Sequence, residues 1–92
     1  MLSIKGKKIY LIGIKGTGMA SLAIILKKVG YQVTGSDVEN EFPTQSQLDK
    51  NNIKYLTPFH AKNIATAKPD LIIASTAYGD TNPEIAEAKK KC

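Results

Sequence analysis

The sequence predicts an α/β fold, a Rossmann-like three-layer domain built on a parallel sheet of at least four strands. One observation is a βαβ unit: an apolar run at 9–12, a glycine-rich turn, a helical apolar pattern and a second short run from 31. The other observation is that helical segments and apolar runs go on alternating, because helical segments also precede the apolar runs at 53–56 and 71–74. Strands joined through helices run parallel, so we expect helices on both faces of the sheet.

Each element in the first half of the chain has a local signal. Residues 9–12 show no polar alternation, which favours a parallel strand covered on both faces. The next helix is predicted from Met19 to Lys28, with Gly30 placed to take a left-handed cap. Residues 44–47 have the Thr-x-x-Gln form of a capping box, which predicts a short second helix.

The second half follows the same alternation. Residues 53–56 alternate between apolar and polar and predict a third strand. Residues 61–68 favour a short helix or turn, and the apolar run at 71–74 predicts a fourth, buried strand. Asn82, followed by a proline and an acid, predicts the start of the last helix, with Ile85 facing inward.

Composition and charge narrow the class of protein. Ninety-two residues, 42% hydrophobic and 23% charged, indicate one globular domain. The net charge of +5 comes from thirteen scattered lysines and no arginine, which argues against nucleic-acid binding. No apolar run approaches the roughly 20 residues of a membrane span and no signal-peptide pattern occurs, so we expect a cytoplasmic protein without membrane contact. Cys92, the only cysteine, cannot form an intrachain disulfide and is interpreted as an incidental thiol.

The glycine turn between the first strand and the first helix is the candidate site for an anion. Gly13, Gly16 and Gly18 permit the sharp bend and leave the main chain open to a phosphate. Free N–H groups of the first helical turn, with the positive end of the helix dipole, face such an anion. Thr17 is either the N-cap or a hydroxyl directed at the phosphate, and Met19 is expected to pack in the core while its N–H binds.

Spacing separates this turn from two common nucleotide-binding loops. The dinucleotide fingerprint G-x-G-x-x-G needs glycine at the position of Lys15. The ATP-binding loop G-x-x-x-x-G-K-[ST] needs lysine and a hydroxyl residue where Met19 and Ala20 stand. A phosphate loop without its own metal-binding or lysine motif remains. Asp37 follows Gly18 by nineteen residues, close to the roughly 20 expected of a carboxylate that binds a ribose or base, although a capping or solvated role stays open.

Polar residues at two other strand ends complete the candidate set. Ser75, Thr76 and Ala77 follow the predicted fourth strand and lie beside the glycine turn if the sheet is doubly wound, where they bind a nucleotide or only form the turn. His60, the only histidine, contacts substrate or bonds within its own loop, and alone it makes neither a catalytic dyad nor a metal site. No nucleophile stands beside a base, so the sequence predicts no catalytic residue and no metal ligand.

In order and spacing, the motifs at 13–19, 35–37, 75–77 and 82–84 resemble the N-terminal domain of the Mur ligases. The resemblance covers essentially the whole chain, so residues 1–92 are expected to be that domain. It implies that the full-length protein joins an amino acid to the lactyl carboxylate of UDP-N-acetylmuramate, using ATP and magnesium through an acyl phosphate. It also implies that ATP, magnesium and the catalytic residues belong to central and C-terminal domains absent from this chain, which are then its partners.

The resemblance implies a substrate-binding set, in which the main-chain N–H groups of residues 16–19 hold the diphosphate. Lys15, where relatives usually carry glycine, would add charge, and Asp37 would contact the uridine. Two other interpretations stay open: an NAD(P)-binding Rossmann domain of an oxidoreductase or sensor, and a non-catalytic interaction domain. The complete set of predicted substrate-binding residues is Gly13, Lys15, Gly16, Thr17, Gly18, Met19, Ser36, Asp37, His60, Ser75, Thr76 and Ala77.

Overall fold

Three parallel strands form the sheet in a computed structural model that describes residues 6–91, with no side-chain description for the last of them. The strands are β1 (Lys8–Ile12), β2 (Gln32–Ser36) and β3 (Leu71–Ala74), in the order β2-β1-β3. Both neighbours of β1 run parallel to it. The interpretation of Cys92 concerns a residue outside the described part of the chain.

The central strand β1 is buried on both faces, as predicted. Successive side chains of a strand point to opposite faces, so Ile9 and Leu11 enter one hydrophobic cluster while Tyr10 and Ile12 enter another. All four are almost completely buried. The lack of polar alternation at 9–12 therefore reflects burial on both sides.

Helices cover the two faces in separate layers, which confirms the α/β class and the three-layer arrangement. The helices α1 (Thr17–Val29) and α2 (Gln45–Lys50) contribute Ala20, Ala23 and Leu48 to the cluster that contains Leu11. On the opposite face, α3 (Ala61–Ala67) and α4 (Pro83–Lys91) contribute Ile64 and Ile85 to the cluster around Tyr10. No helix within residues 6–91 has the length and apolar character needed to cross a membrane.

The prediction of at least four strands is wrong for the described residues, because 53–56 does not form a strand. Only Leu56 pairs with β2, through a single parallel bridge to Ser36. Upstream, the N–H of Ile53 donates to Leu48 O at the end of α2, and its side chain packs in the core. Downstream, Pro58 lacks the N–H that a ladder needs. The turn at Ile53 and the missing N–H of Pro58 thus leave Leu56 as the one residue of this segment that pairs with β2.

Two predicted helix ends are confirmed. Gly30 has a φ of +122° and its N–H donates to the carbonyls of the last turn of α1, which closes that helix. At the start of α4, Asn82 Oδ1 accepts from the N–H groups of Glu84 (2.8 Å) and Ile85 (3.2 Å). Asn82 is therefore the N-cap that the sequence indicates.

Two other predicted helix starts need correction. The N-cap of α1 is Gly16, so Thr17 is already the first helical residue and does not cap. Thr44 occupies the N-cap position of α2 but makes no side-chain cap bond. Its hydroxyl donates instead to Lys15 O, so the capping box does not form and α2 is tied to the glycine turn.

Candidate functional site

An open cleft of about 380 Å³ lies at the carboxyl edge of the sheet, between the start of α1 and the end of β3. This is the edge at which parallel α/β sheets bind ligands. The cleft brings together six of the residues singled out from the sequence, and Ala74 completes its lining. Its residues are Gly16, Thr17, Gly18, Met19, Ala74, Ser75 and Thr76.

The first turn of α1 brings three unpaired N–H groups to this cleft. The first bond of the helix runs from Ala20 N to Gly16 O (2.8 Å), so the N–H groups of Thr17, Gly18 and Met19 precede any intrahelical partner. No side chain caps this end and no acidic residue lies in the first turn. The N–H of Gly16 is not available, because it donates to Gly13 O at 3.2 Å. Three donors and the positive helix end are thus left for an anion.

Gly13 is required by both conformation and packing. Its φ of +87° lies in the left-handed region, which side chains disfavour. A Cβ there would stand 2.8 Å from Ser75 Cβ and 3.0 Å from the Tyr78 ring. Gly18 differs, since a Cβ there meets no atom within 4 Å. The first glycine therefore lets the turn pack against the segment after β3, whereas Gly18 borders open space.

The glycine turn is held in place by the end of β2. Ser36 O accepts from the N–H groups of both Gly13 (2.9 Å) and Ile14 (3.1 Å). The next N–H, of Lys15, donates to Asp37 Oδ2 at 2.8 Å. Three successive amides are thereby fixed before α1 begins, which orients the free amides that follow.

Asp37 is 1% exposed, and both of its carboxylate oxygens bond within the protein. Besides the Lys15 amide, it accepts from Val38 N (2.7 Å) and from the Tyr78 hydroxyl (3.2 Å). Burial raises the pKa of Tyr78, and the Asp37 charge and hydrogen bond raise this pKa further. Tyr78 also packs edge-to-face on Phe59, with ring centroids 4.9 Å apart. The carboxylate predicted to contact a nucleoside thus holds the glycine turn.

The Lys15 side chain is directed away from the cleft, which it does not line. Only 2% of the residue is exposed, and its Nζ donates to Val38 O and Asn40 O, both at 2.8 Å. The ammonium also lies 5.7 Å from the centroid of Phe42 and 5.4 Å from that of Tyr55. Its charge is satisfied by carbonyls and aromatic faces, which fixes the loop after β2.

The other predicted residues lie outside the cleft lining. Ser36 is fully buried, and its hydroxyl donates to the carboxylate of Glu84. His60 is the N-cap of α3, where its Nδ1 accepts from Lys62 N at 3.0 Å. Ala77 follows the cleft-lining residues, and its N–H donates to Ser75 Oγ at 3.1 Å.

Two residues outside the predicted substrate-binding set support the site, namely Tyr78 through Asp37 and Glu84 through Ser36. The sequence does not reveal whether the acid at the start of α4 is buried or exposed. It therefore predicts Glu84 only as a favourable first-turn acid. Within residues 6–91 no group of three His, Cys, Asp or Glu side chains could hold a metal ion.

These features define a parallel α/β domain that presents a glycine turn and an uncapped helix start at the carboxyl edge of its sheet. The family model described as "Mur ligase family, catalytic domain" matches residues 8–92. The chain therefore belongs to the Mur ligase family, which confirms the resemblance found in the sequence.

Similar proteins agree with this assignment. The chain is 44% identical over 87 residues to the UDP-N-acetylmuramate--L-alanine ligase of Lactobacillus gasseri, covering 95% of this chain and 20% of that protein. For the same ligase of Treponema pallidum the identity is 45% over 89 residues, covering 96% and 18%. The chain thus spans about a fifth of the length of these curated relatives.

Two solved structures share the fold at 28% sequence identity. One is the UDP-N-acetylmuramate:L-alanyl-gamma-D-glutamyl-meso-diaminopimelate ligase of Neisseria meningitides, with a TM-score of 0.85 over 94% of this chain and 26% of that one. The other is a murein peptide ligase of Psychrobacter arcticus, with a TM-score of 0.80 over 94% and 18%.

Proposed function

We propose that this chain is the N-terminal, substrate-binding domain of an ATP-dependent peptidoglycan-precursor ligase, which adds an amino acid to UDP-N-acetylmuramate. Family membership and the names of the relatives support the reaction class. One observation carries the role of this chain: three N–H groups at the start of α1 lie in the cleft without an acceptor. A diphosphate supplies the acceptors and the negative charge that this helix end favours.

In the proposed complex, the diphosphate lies on the N–H groups of residues 17–19. Ser75 and Thr76 form the opposite wall, where their hydroxyls can donate to phosphate or sugar oxygens. Lys15, Ser36 and Asp37 act indirectly, because their polar groups bond inside the protein and hold the turn or the loop after β2. Direct contacts from His60 and Ala77 stay predictions.

The contribution of this domain to catalysis is positioning. Holding the UDP end of the substrate fixes where its distant carboxylate can lie, which lowers the entropic part of the barrier. ATP and magnesium do not fit the described residues, which lack a lysine-containing phosphate loop and any cluster of metal-binding side chains. We therefore assign both to the remainder of the full-length ligase, and the cytoplasmic location stays a prediction.

Titration of the ¹⁵N-labelled chain with UDP-N-acetylmuramate tests the proposal. The largest amide shifts are expected at residues 17–19 and at Ser75 and Thr76. Shifts confined to residues far from the cleft would contradict it. A parallel titration with NAD(H) separates the first alternative, since tighter binding of NAD(H) indicates a nicotinamide-nucleotide domain. Failure of both ligands to bind favours a non-catalytic interaction domain.

A further inference from the structure

Glu84 is a completely buried carboxylate that the proposed substrate contacts do not use. As the second residue of α4 it is placed to neutralise that helix start, yet its side chain bonds to other elements. Oε1 accepts from the Ser36 hydroxyl, while Oε2 accepts from His60 N (3.0 Å) and Asn63 Nδ2 (2.9 Å). A buried carboxylate needs such donors, because losing its hydration is otherwise costly.

These three donors come from two separate segments, the end of β2 and the start of α3. Ser36 ends β2, His60 precedes α3 and Asn63 lies within α3. Glu84 is therefore the common acceptor that joins α4 and α3 to the end of the sheet. Only the Ser36 branch leads to the cleft, because Ser36 O accepts the amides of Gly13 and Ile14.

We infer that Glu84 is a positioning residue for the diphosphate site, acting through Ser36 on the glycine turn. The inference rests on the proposed function for the identity of the ligand. The carboxylate holds the Ser36 hydroxyl, which fixes the carbonyl of the same residue under the turn, and the turn sets the direction of the free amides of residues 17–19. Two hydrogen-bonded steps thus connect α4 to the anion site.

Two single variants separate this role from a general contribution to stability. Ser36→Ala removes the branch towards the turn and leaves the other two donors of Glu84 in place. Asn63→Ala removes another donor of the same carboxylate but leaves the turn untouched, so it is the matched control. Glu84→Gln keeps the side-chain volume and offers an amide N–H that the Ser36 hydroxyl can accept, so it serves as the conservative variant.

The first readout needs no ligand. In Ser36→Ala, hydrogen exchange at the amides of Gly13 and Ile14 is expected to accelerate by about tenfold, the loss of roughly one buried hydrogen bond. In Asn63→Ala these two amides keep their wild-type exchange relative to the rest of the sheet. Equal acceleration in both variants would overturn the inference, because Glu84 would then act only on global stability.

The second readout is affinity for UDP-N-acetylmuramate, measured by calorimetry on fully folded protein. Ser36→Ala is expected to weaken binding by about tenfold, Glu84→Gln by less, and Asn63→Ala not at all. In the double variant, Glu84→Gln should add nothing to Ser36→Ala, and full additivity would refute the connection. If wild-type protein fails to bind, the proposed function fails, while the exchange measurement still decides the role of Glu84.

Discussion

The backbone N–H of Lys15 donates to Asp37 Oδ2 at 2.8 Å, across twenty-two residues of sequence. The residue that breaks the dinucleotide fingerprint is therefore bound, through its main chain, to the acid that the same fingerprint assigns to the ribose. Here the acid stabilises the turn itself. The spacing between the glycine turn and Asp37 thus has a structural use, because it allows Asp37 to bond to the turn without a nicotinamide nucleotide.

Asp37→Asn tests this use. Asparagine offers one oxygen where the carboxylate offers two, so the amides of Lys15 and Val38 and the Tyr78 hydroxyl cannot all keep their acceptor. The free energy of unfolding should fall by about 1–3 kcal/mol, measured by urea denaturation. Asp49→Asn, at an exposed position of α2, is the control. Unchanged stability with lost UDP-N-acetylmuramate binding would instead show a direct contact.

A methyl group at Gly18 should separate binding from folding. No atom lies within 4 Å of a Cβ at this position, and alanine favours a helix over glycine by up to about 1 kcal/mol, so stability should stay equal or rise. Binding of UDP-N-acetylmuramate should weaken several-fold, because the methyl enters the cleft. Gly13→Ala is the contrast: its positive φ and its contacts with Ser75 and Tyr78 predict lower thermal stability. Full affinity in Gly18→Ala would argue against a ligand on α1.

Lys15→Met distinguishes a structural lysine from a phosphate-binding one. The substitution keeps the buried methylenes but leaves the carbonyls of Val38 and Asn40 without their donor, which should lower the free energy of unfolding by about 1–3 kcal/mol. Affinity for UDP-N-acetylmuramate, measured on folded protein, should change much less than in Ser36→Ala, because the Lys15 side chain holds the loop after β2 and not the glycine turn. Lys28→Met, at an exposed position of α1, provides the control. A loss of affinity that added salt reproduces in the wild type would place the ammonium on the phosphate.

Tyr10→Phe should stabilise the protein. Tyr10 is fully buried, and among the described residues its hydroxyl is the buried side-chain group without a hydrogen bond of normal geometry, although Ser36 and Glu84 lie near enough to affect its pKa. Removing an unpaired hydroxyl should raise the free energy of unfolding by up to about 1 kcal/mol. Tyr31→Phe makes the same chemical change at a partly exposed side chain and should have little effect. A clear loss of stability in Tyr10→Phe would show that the hydroxyl bonds to a neighbour or to water.

Alkaline pH should destabilise the fold through its tyrosines. Burial raises the pKa values of Tyr10, Tyr55 and Tyr78 above their ordinary value of 10.0. In the folded protein each of these tyrosines loses its proton at a higher pH than in the unfolded chain. Its contribution to the free energy of unfolding is therefore complete below pH 10.0 and is lost as the pH rises through the folded pKa. Urea midpoints measured against pH should therefore fall less steeply in Tyr78→Phe than in wild type. Parallel curves would contradict a raised Tyr78 pKa.

The sequence predicts which residues share an edge better than it predicts where their side chains point. Parallel β1 and β3 bring Gly16 and Ser75 into one cleft because carboxyl ends of parallel strands meet at the same edge. Whether Asp37 and Lys15 turn towards that cleft depends on partners far along the chain, such as Tyr78 and Val38. Local pattern carries no information about those partners.

The failed strand at 53–56 has a related cause. Alternating polarity follows from burying one side of any extended segment, whether or not its backbone pairs with a sheet. Ile53 packs in the core while its N–H bonds to Leu48 O at the end of α2. Residues 53–56 thus have the side-chain pattern of a strand, whereas the hydrogen bond of the Ile53 N–H belongs to the turn after α2.

Because the start of α1 is uncapped, a ligand that binds there should raise the thermal stability of the protein. A helix end without acceptors frays readily, and a ligand that binds only the folded chain adds RT ln(1 + [L]/Kd) to its stability. Saturating UDP-N-acetylmuramate should then raise the midpoint of thermal unfolding and slow amide exchange first in the opening turn of α1. In this way the anion becomes the missing cap of the helix.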